Sequence, residues 1–287
     1  MYRENFALIT TVYNEGDNIL TFLESYYNQT CYAEEFIIVD GGSIDGTVEH
    51  IREYAQKFPC LKIKLYVDEG CQRKRTIAPI AKGRNVAISH TNCKFIVVTD
   101  AGCRLDNKWF EEISAPFEDD NVKAVCGYYI VNAETQFEKK FAHVFQPEGD
   151  NFFPSSRSIA FQRIIWEKVG GYPEMSYTAE DTLFDLNIER LGINFYRAST
   201  AIVYWTFAKS KDELYKKLKE YGRGEGQLLI YKRKALFRCL CLLFPFLILI
   251  LMSFSRKKIS FGIIYRFYYL QTVGYLNGVC LHFIKYK

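Results

Sequence analysis

The chain has 287 residues, 49% of them hydrophobic and 16% aromatic, with 37 Lys and Arg against 33 Asp and Glu. That length accommodates one large α/β core or two small domains. The charge is uneven: residues 209 to 287 hold 16 Lys and Arg against 4 Asp and Glu, leaving 21 against 29 in residues 1 to 208. A basic tail with aromatic and aliphatic runs points to anionic lipid and away from nucleic acid. The nine cysteines contain no C-x-x-C pair, which excludes a zinc ribbon and a thioredoxin-like motif and predicts reduced, buried thiols in a cytosolic compartment. The opening "MYRENFALITT" has no long apolar stretch and is not expected to act as a secretory signal.

In chain order, apolar runs alternate with helix-like segments. "FALITTVY" (6–13) precedes a helix with Asp17 at its start. "EFIIVD" (35–40) precedes a second helix with Asp45 as candidate cap. "KIKLYVD" (62–68) leads through the basic loop of Arg73, Lys74 and Arg75 to a helix near "RNVAISH". "KFIVVTD" (94–100) precedes a helix near "WFEEISAPF". This alternation predicts a mostly parallel sheet with helices on both faces, whose ligands bind at the carboxyl ends of the strands. Thr11 to Glu15, Asp40 and Asp100 fall at those ends. Farther on, "VKAVCGYYIV" (122–131) reads as a strand. "RSIAFQRIIWEKVGGYPE" reads as a strand, then a helix stopped by Gly170 and Gly171. "AEDTLFDLNIERLG" is a helix stopped by Gly192, and "FYRASTAIVYW" is a strand.

The tail differs. Residues 235 to 255 form an apolar run of roughly 20 residues, enough to cross a bilayer at about 1.5 Å per residue, although Arg238 and Pro245 interrupt it. Lys232–Lys234 and Arg256–Lys258 flank it. Residues 259 to 284 form a second apolar and aromatic run. The expected division is a catalytic domain over 1–232 and a membrane-spanning or interfacial helical hairpin over 233–287. A buried hairpin capping the core is the alternative. Truncation after about Arg233 is expected to leave a folded core.

An Asp after a hydrophobic strand often only caps the next turn. Two such strands in one sheet, ending in Asp40 and Asp100, favour a carboxylate cluster at the ligand edge. "VDGGSIDGT" supplies glycines for a tight turn, but it is neither a Walker loop nor G-x-G-x-x-G.

"ITTVYNE", "VDGGSIDGT", "KGRNVAI", "TDAG" and "AEDTLFDLNIERLG", in this order and spacing, resemble the family-2 glycosyltransferases of GT-A fold over roughly residues 5 to 230. The tail resembles the C-terminal hydrophobic pair of membrane-attached members. The resemblance implies an inverting transfer of a sugar from a nucleotide diphosphate sugar; the leading reading is a membrane-attached enzyme acting on a lipid-linked or polysaccharide hydroxyl, its catalytic part expected on the cytoplasmic side from the free cysteines and the lack of a secretory signal. The resemblance implies that Thr11, Tyr13 and Glu15 hold the nucleotide, that Asp40 contacts the base, and that Arg84 lies near base and phosphates. By the same resemblance Asp100 is the first acid of D-x-D, contacting ribose and metal, and Asp181 is the catalytic base, with Glu180 as alternative base or acceptor partner. Arg223, in "YGRGEG", resembles a basic position near the diphosphate, with lipid-headgroup contact as its other reading. Gly102 stands where the family pattern has its second acid. A divalent cation, Mg²⁺ or Mn²⁺, is therefore expected with its stoichiometry open.

The chemistry agrees with those roles. Diphosphate departure develops negative charge that a cation or fixed Arg and Lys must stabilise, and a positioned carboxylate takes the acceptor's proton. Thr178 and Asp181 also have the spacing of a helix capping box. Trp205 is a candidate for stacking on sugar or for packing. Two rival functions are a nucleotidyltransferase and a non-catalytic nucleotide-sugar-binding membrane protein. The acids of "TTVYNEGDN" argue against the first, and the Glu180–Asp181 pair argues against the second.

Overall fold

The computed structural model describes residues 2–149, 152–254 and 259–285. The basic run 256–258 lies outside them. The chain divides into two compact units. The first is Met1–Ile130, Pro147–Glu174 and Phe184–Thr206, and the second is Val131–Gln146, Met175–Leu183 and Phe207–Lys287.

The first unit is built on β1 (Tyr2–Val12), β2 (Tyr32–Asp40), β3 (Ile63–Val67), β4 (Phe95–Val98), β5 (Cys103–Leu105), β6 (Ala124–Val131), β7 (Ile159–Gln162) and β8 (Phe195–Trp205). They form one sheet in the order β3-β2-β1-β4-β7-β6-β8-β5. The β1, β2, β3 and β4 neighbours pair in parallel, but β4–β7, β6–β7 and β5–β8 are antiparallel. The sheet is thus mixed, which corrects the expectation of a mostly parallel one. The βαβ alternation that licenses parallel pairing ends at β4. Beyond it the connections are not simple crossover helices, so returning strands run antiparallel.

Helices α1 (Asn18–Tyr27), α2 (Thr47–Lys57), α3 (Pro79–Ser89) and α4 (Trp109–Ser114) follow the first strands, as the apolar spacing predicts. Two cores result, one on each face of the sheet. Leu8, Phe22, Tyr26, Phe36, Val97 and Trp109 belong to one, and Ile9, Ile37, Val98, Phe161, Tyr172 and Phe184 to the other. Alternate residues of β1 and β4 supply both cores, the period-2 signature of a strand buried on both faces. Fully burying each such side chain contributes about 1.5–3 kcal/mol.

The second unit contains α5 (Gln136–Phe145), and α6 (Arg163–Val169) lies in the first. Helix α7 (Glu180–Arg190) begins in the second unit's segment and continues in the first's. Helices α8 (Lys211–Gln227), α9 (Lys232–Leu243), α10 (Phe246–Phe254) and α11 (Phe261–Lys285) complete the chain. Helix α5 carries a full capping box, Thr135 accepting from the Glu138 amide and Glu138 reaching back to the Thr135 amide. The expected stops hold: Gly170 caps α6 at φ 79° and Gly192 follows α7 at φ 76°, both in the left-handed region.

The apolar run 235–255 is not one helix. It breaks between Leu243 and Phe246, and the halves meet at 113°. Pro245 has no N–H to continue the helix and restricts the residue before it. Among the described residues no single helix is long and apolar enough to cross a membrane, while the bent pair α9–α10 together meets that requirement by length and composition.

Within the second unit, α8 and α11 approach backbone to backbone. A Cβ on Gly222 would collide with the Gln271 carbonyl and one on Gly226 with the Tyr275 carbonyl, while additions at Gly274 and Gly278 would strike the Lys219 and Arg223 carbonyls. Two pairs of glycines four residues apart, one on each helix, remove the side chains that would hold the axes at the usual separation of about 8–10 Å. Arg238 of α9 joins this contact, donating to Glu225 at 2.9 Å and to Gln271 at 3.2 Å from a buried position.

Candidate functional site

β1, β2 and β4 run in parallel, so their carboxyl ends share one edge of the first unit. Val12 pairs with Asp40, and Ile9 pairs with Val98 just before Thr99 and Asp100. This register brings Tyr13, Glu15, Asp40 and Asp100 to that edge. Tyr13 is 45% exposed and its ring lies against Gly41.

Two loops are tied together there. The Ser43 hydroxyl accepts from the Asn14 amide at 2.8 Å, the Asn14 side chain accepts from the Ile44 amide at 3.1 Å, and the Thr47 hydroxyl accepts from the amides of Glu15 and Gly16. Asp40 is fully buried beneath them. Its Oδ1 accepts from the Gly42 and Ser43 amides, both at 2.7 Å, and its Oδ2 from the Ser43 hydroxyl at 2.5 Å. Asp40 therefore organises the 40–43 turn, the capping role open to it in the sequence. Asp45 serves the next turn, accepting from the Thr47 amide and hydroxyl, and the hydroxyl holds its carboxyl below the usual range.

Arg84 reaches this edge from α3. A Cβ on Gly83 would lie 2.7 Å from Thr11 Cγ2, so the glycine lets α3 press on the end of β1. The next residue, Arg84, is 3% exposed and donates from Nη2 to Asp100 Oδ1 at 2.7 Å. Its guanidinium stands 5.2 Å from the Tyr172 ring. Asn85 fixes the same turn of helix. It donates to the Tyr172 carbonyl and accepts from the Trp166 indole and the Tyr172 amide. Nothing in the sequence singles out Asn85, although it follows Arg84 in "GRN".

Asp100 keeps 36% of its side chain exposed despite this ion pair. Glu15 senses it. Burial raises the Glu15 pKa first, and the charges of Asp100 and Asp45 raise it further. At Gly102 an added Cβ would meet nothing within 4 Å. The missing second acid is therefore not excluded by packing.

Arg157 was also missed. It precedes β7, whose antiparallel pairing with β4 returns the chain to the Asp100 end. Its carbonyl accepts from the Thr99 hydroxyl at 2.8 Å, and its guanidinium lies 3.7 Å from the Trp205 ring centre and 5.2 Å from that of Tyr129. Trp205 thus packs as a cation–π partner. Long-range pairing makes this cluster, so no local pattern in "SSRS" announces it.

The second unit holds the other acids. Ala179, at φ 65°, adopts a left-handed conformation immediately before α7, costing about 1 kcal/mol for an L-residue. Glu180 is buried, and Asp181 is partly exposed with Oδ1 accepting from the Thr182 amide at 2.7 Å. Thr178 donates its hydroxyl to the Glu220 carbonyl at 2.7 Å. On α8, Gly224 faces the same loop, where a Cβ would collide with Thr178. The "GRGEG" glycines thus divide their work: Gly222 and Gly226 admit α11, and Gly224 admits the Thr178 loop that leads into Glu180 and Asp181 at the start of α7. Arg223 pairs with Glu220 at 3.7 Å and lines a groove between α8 and α11.

Among the described residues no three His, Cys, Asp or Glu side chains gather as a preformed cation site. The residues present fit a different arrangement. Asp100 offers one exposed carboxylate beside Glu15 and open space at Gly102, matching a hard cation that takes one or two carboxylates and completes its shell with phosphate and water.

The chain was compared with known proteins. It is 29% identical over 121 residues to the uncharacterized glycosyltransferase YibD of Escherichia coli, covering 42% of this chain and 33% of that one. It is 24% identical over 216 residues to the O-antigen chain rhamnosyltransferase WbaN of Salmonella anatum, covering 69% and 65%. The chain therefore spans from a third to just under two thirds of these relatives' lengths. Among solved structures, the mannosyltransferase PcManGT of Pyrobaculum calidifontis, in complex with GDP-Man and Mn²⁺, superposes with a TM-score of 0.59 at 21% identity, covering 79% of this chain and 63% of that one. Residues 1–349 of S. aureus TarS in complex with UDP-GlcNAc give 0.54 at 19% identity, covering 76% and 65%. These likenesses establish the GT-A-like fold. The sequence profile "Glycosyl transferase family 2" matches residues 7–175, more than half of the chain, from within β1 through Tyr172. On that match the chain belongs to glycosyl transferase family 2.

Proposed function

We propose that this chain transfers a sugar, with inversion, from a nucleoside diphosphate sugar to a hydroxyl of a glycan or lipid-linked acceptor, and that its basic apolar tail holds it at the cell membrane with the catalytic part in the cytoplasm. The observation that carries the reading is the buried Arg84 holding the partly exposed Asp100 beside Glu15 at the edge where β1, β2 and β4 end. In sheets of this kind ligands bind at that edge.

The roles follow from placement and chemistry. The loops organised by Asp40 receive the nucleoside, with the exposed Tyr13 ring available to stack on a base. Thr11 lies beneath them. Asp100 orients the ribose and diphosphate side of the donor. A divalent cation bound there would neutralise charge on the departing diphosphate, and the PcManGT complex with Mn²⁺ supports that expectation. Asp181 takes the proton of the acceptor hydroxyl as that oxygen attacks the anomeric carbon opposite the leaving diphosphate, which inverts the centre. Buried Glu180 positions the start of α7 or the acceptor.

Membrane attachment rests on the bent apolar pair α9–α10, the exposed Leu236, Phe237, Leu243, Phe246 and Leu249, and the flanking Lys232–Lys234. Membranes washed with high salt should retain the chain, and release by salt alone would leave it a surface-bound protein. Gly102 favours a second reading, a non-catalytic nucleotide-sugar-binding protein. A panel of nucleotide sugars screened for binding and for turnover with Mg²⁺ or Mn²⁺ decides between the two. Turnover of one donor supports transfer, and binding without turnover or hydrolysis supports the second reading.

A further inference from the structure

A groove of about 700 Å³ runs between α8 and α11, wholly within the second unit. One wall is cationic. Lys216, Lys219 and Arg223 line it, spaced at i, i+3 and i+7 on α8. At about 100° per residue these positions fall within roughly 60° of one another around the helix. Glu220 is the acid on this wall, and it pairs with Arg223 at 3.7 Å. Three cations therefore face one carboxylate.

The other wall is apolar. Leu270, Gly274, Cys280 and Leu281 of α11 line it with one polar side chain, Asn277, and α11 contains no Asp or Glu. Leu276, Phe283 and Ile284 of the same helix are exposed. The glycine contacts between α8 and α11 close the groove's floor without side chains, so the two walls are held at a fixed separation.

We propose that this groove binds one lipid phosphate, its phosphate against Lys216, Lys219 and Arg223 and its first hydrocarbon segment along Leu270 and Leu281. The two walls ask for different halves of one ligand. A free phosphate leaves the apolar wall uncovered, and a neutral chain leaves three cations facing the single carboxylate of Glu220. Arg223 presents a planar fork suited to two phosphate oxygens, and the lysines add point charges. That this lipid is the acceptor rests on the transfer reading given above; its binding does not.

Cys280 lines the groove and is exposed, and Cys60, on the first unit, is exposed as well. Alkylation of the full chain, followed residue by residue by mass spectrometry without any donor, therefore reads occupancy. Dodecyl phosphate below its micellar concentration, at about ten times its dissociation constant, should slow Cys280 alkylation roughly tenfold by mass action. Cys60 should react at its original rate. Dodecanol and inorganic phosphate should each leave Cys280 unprotected, and the Lys216→Gln/Lys219→Gln variant should lose the protection while keeping its Cys60 rate. Absence of protection overturns the proposal. Equal protection by dodecanol would reduce the site to an apolar slot, and protection by inorganic phosphate or a nucleoside diphosphate would make it a plain phosphate or donor site; both overturn it, as does protection that survives in the double variant. Because no turnover is measured, loss of the transfer reading would leave this result standing.

Discussion

At the scale of single residues, Arg84 and Glu15 carry most of the information about the donor edge. Arg84 makes a charge-assisted bond to Asp100 from a buried position, so its role is to hold that carboxylate in place. Arg84→Gln keeps a donor of similar length but loses the charge. Affinity for a free nucleoside diphosphate, measured by calorimetry, should fall about tenfold. Unchanged affinity would remove Asp100 from the donor site. Glu15 gives a pH dependence with a definite sign. Burial, then Asp100 and Asp45, raise its folded-state pKa above the ordinary carboxylate value. The folded state thus binds this proton more tightly than the unfolded state does. Stability contributed by Glu15 is present at low pH and is lost as pH rises from the ordinary value through the raised one. Glu15→Gln should flatten the melting temperature across that window, and a variant with the wild-type slope would contradict the burial-driven shift.

At the scale of elements, α8 is the piece whose glycines have assigned partners. Gly224 touches the Thr178 loop that leads into Glu180 and Asp181, while Gly222 and Gly226 touch α11. Gly224→Ala should push the Thr178 loop away. A displacement near 1 Å at a reacting group costs about a hundredfold in rate, so transfer should fall steeply. Nucleotide affinity, which the proposed function assigns to residues of the first unit, should hold. Equal loss of both would mean that the variant has damaged the fold. The elements also show what the sequence could disclose. Strands β1 to β4 and helices α1 to α3 were legible because apolar period and turn residues are local signals. The Arg84–Asp100 pair was half legible, since its residues stood out but their contact depends on the Gly83–Thr11 approach. Strands β6, β7 and β8 were legible as strands, but their antiparallel pairing, β5, and the Arg157–Trp205 cluster were not, because each depends on contacts between segments far apart in the chain. Helix α5 had a readable T-x-x-E signal at Thr135 and Glu138 that went unused. The Thr178–Asp181 spacing was readable too, but the Thr178 hydroxyl is committed to Glu220 on α8.

At the scale of the whole molecule, the tail is also part of the second unit's packing. Helix α11 lies backbone to backbone on α8, and Arg238 of α9 closes onto Glu225 and Gln271. A chain ending after Arg233 would leave the Gly222 and Gly226 face bare. We expect the first unit of such a chain to stay folded on its own two cores and to bind nucleoside diphosphate. We expect it to lose transfer, because α8 then supports the Asp181 loop poorly. Retained transfer would show that α11 serves attachment alone.

The proposed function divides the labour: Asp100 and its neighbours are assigned to hold the donor, and Asp181 to remove the acceptor's proton. Asp181→Asn compared with wild type, with donor affinity by calorimetry and transfer rate measured on the same preparation, tests it most directly. The account predicts a rate lower by on the order of a hundredfold or more with donor affinity unchanged, because a general base acts as the hydroxyl attacks and not as the donor binds. Near-wild-type turnover in Asp181→Asn would contradict it.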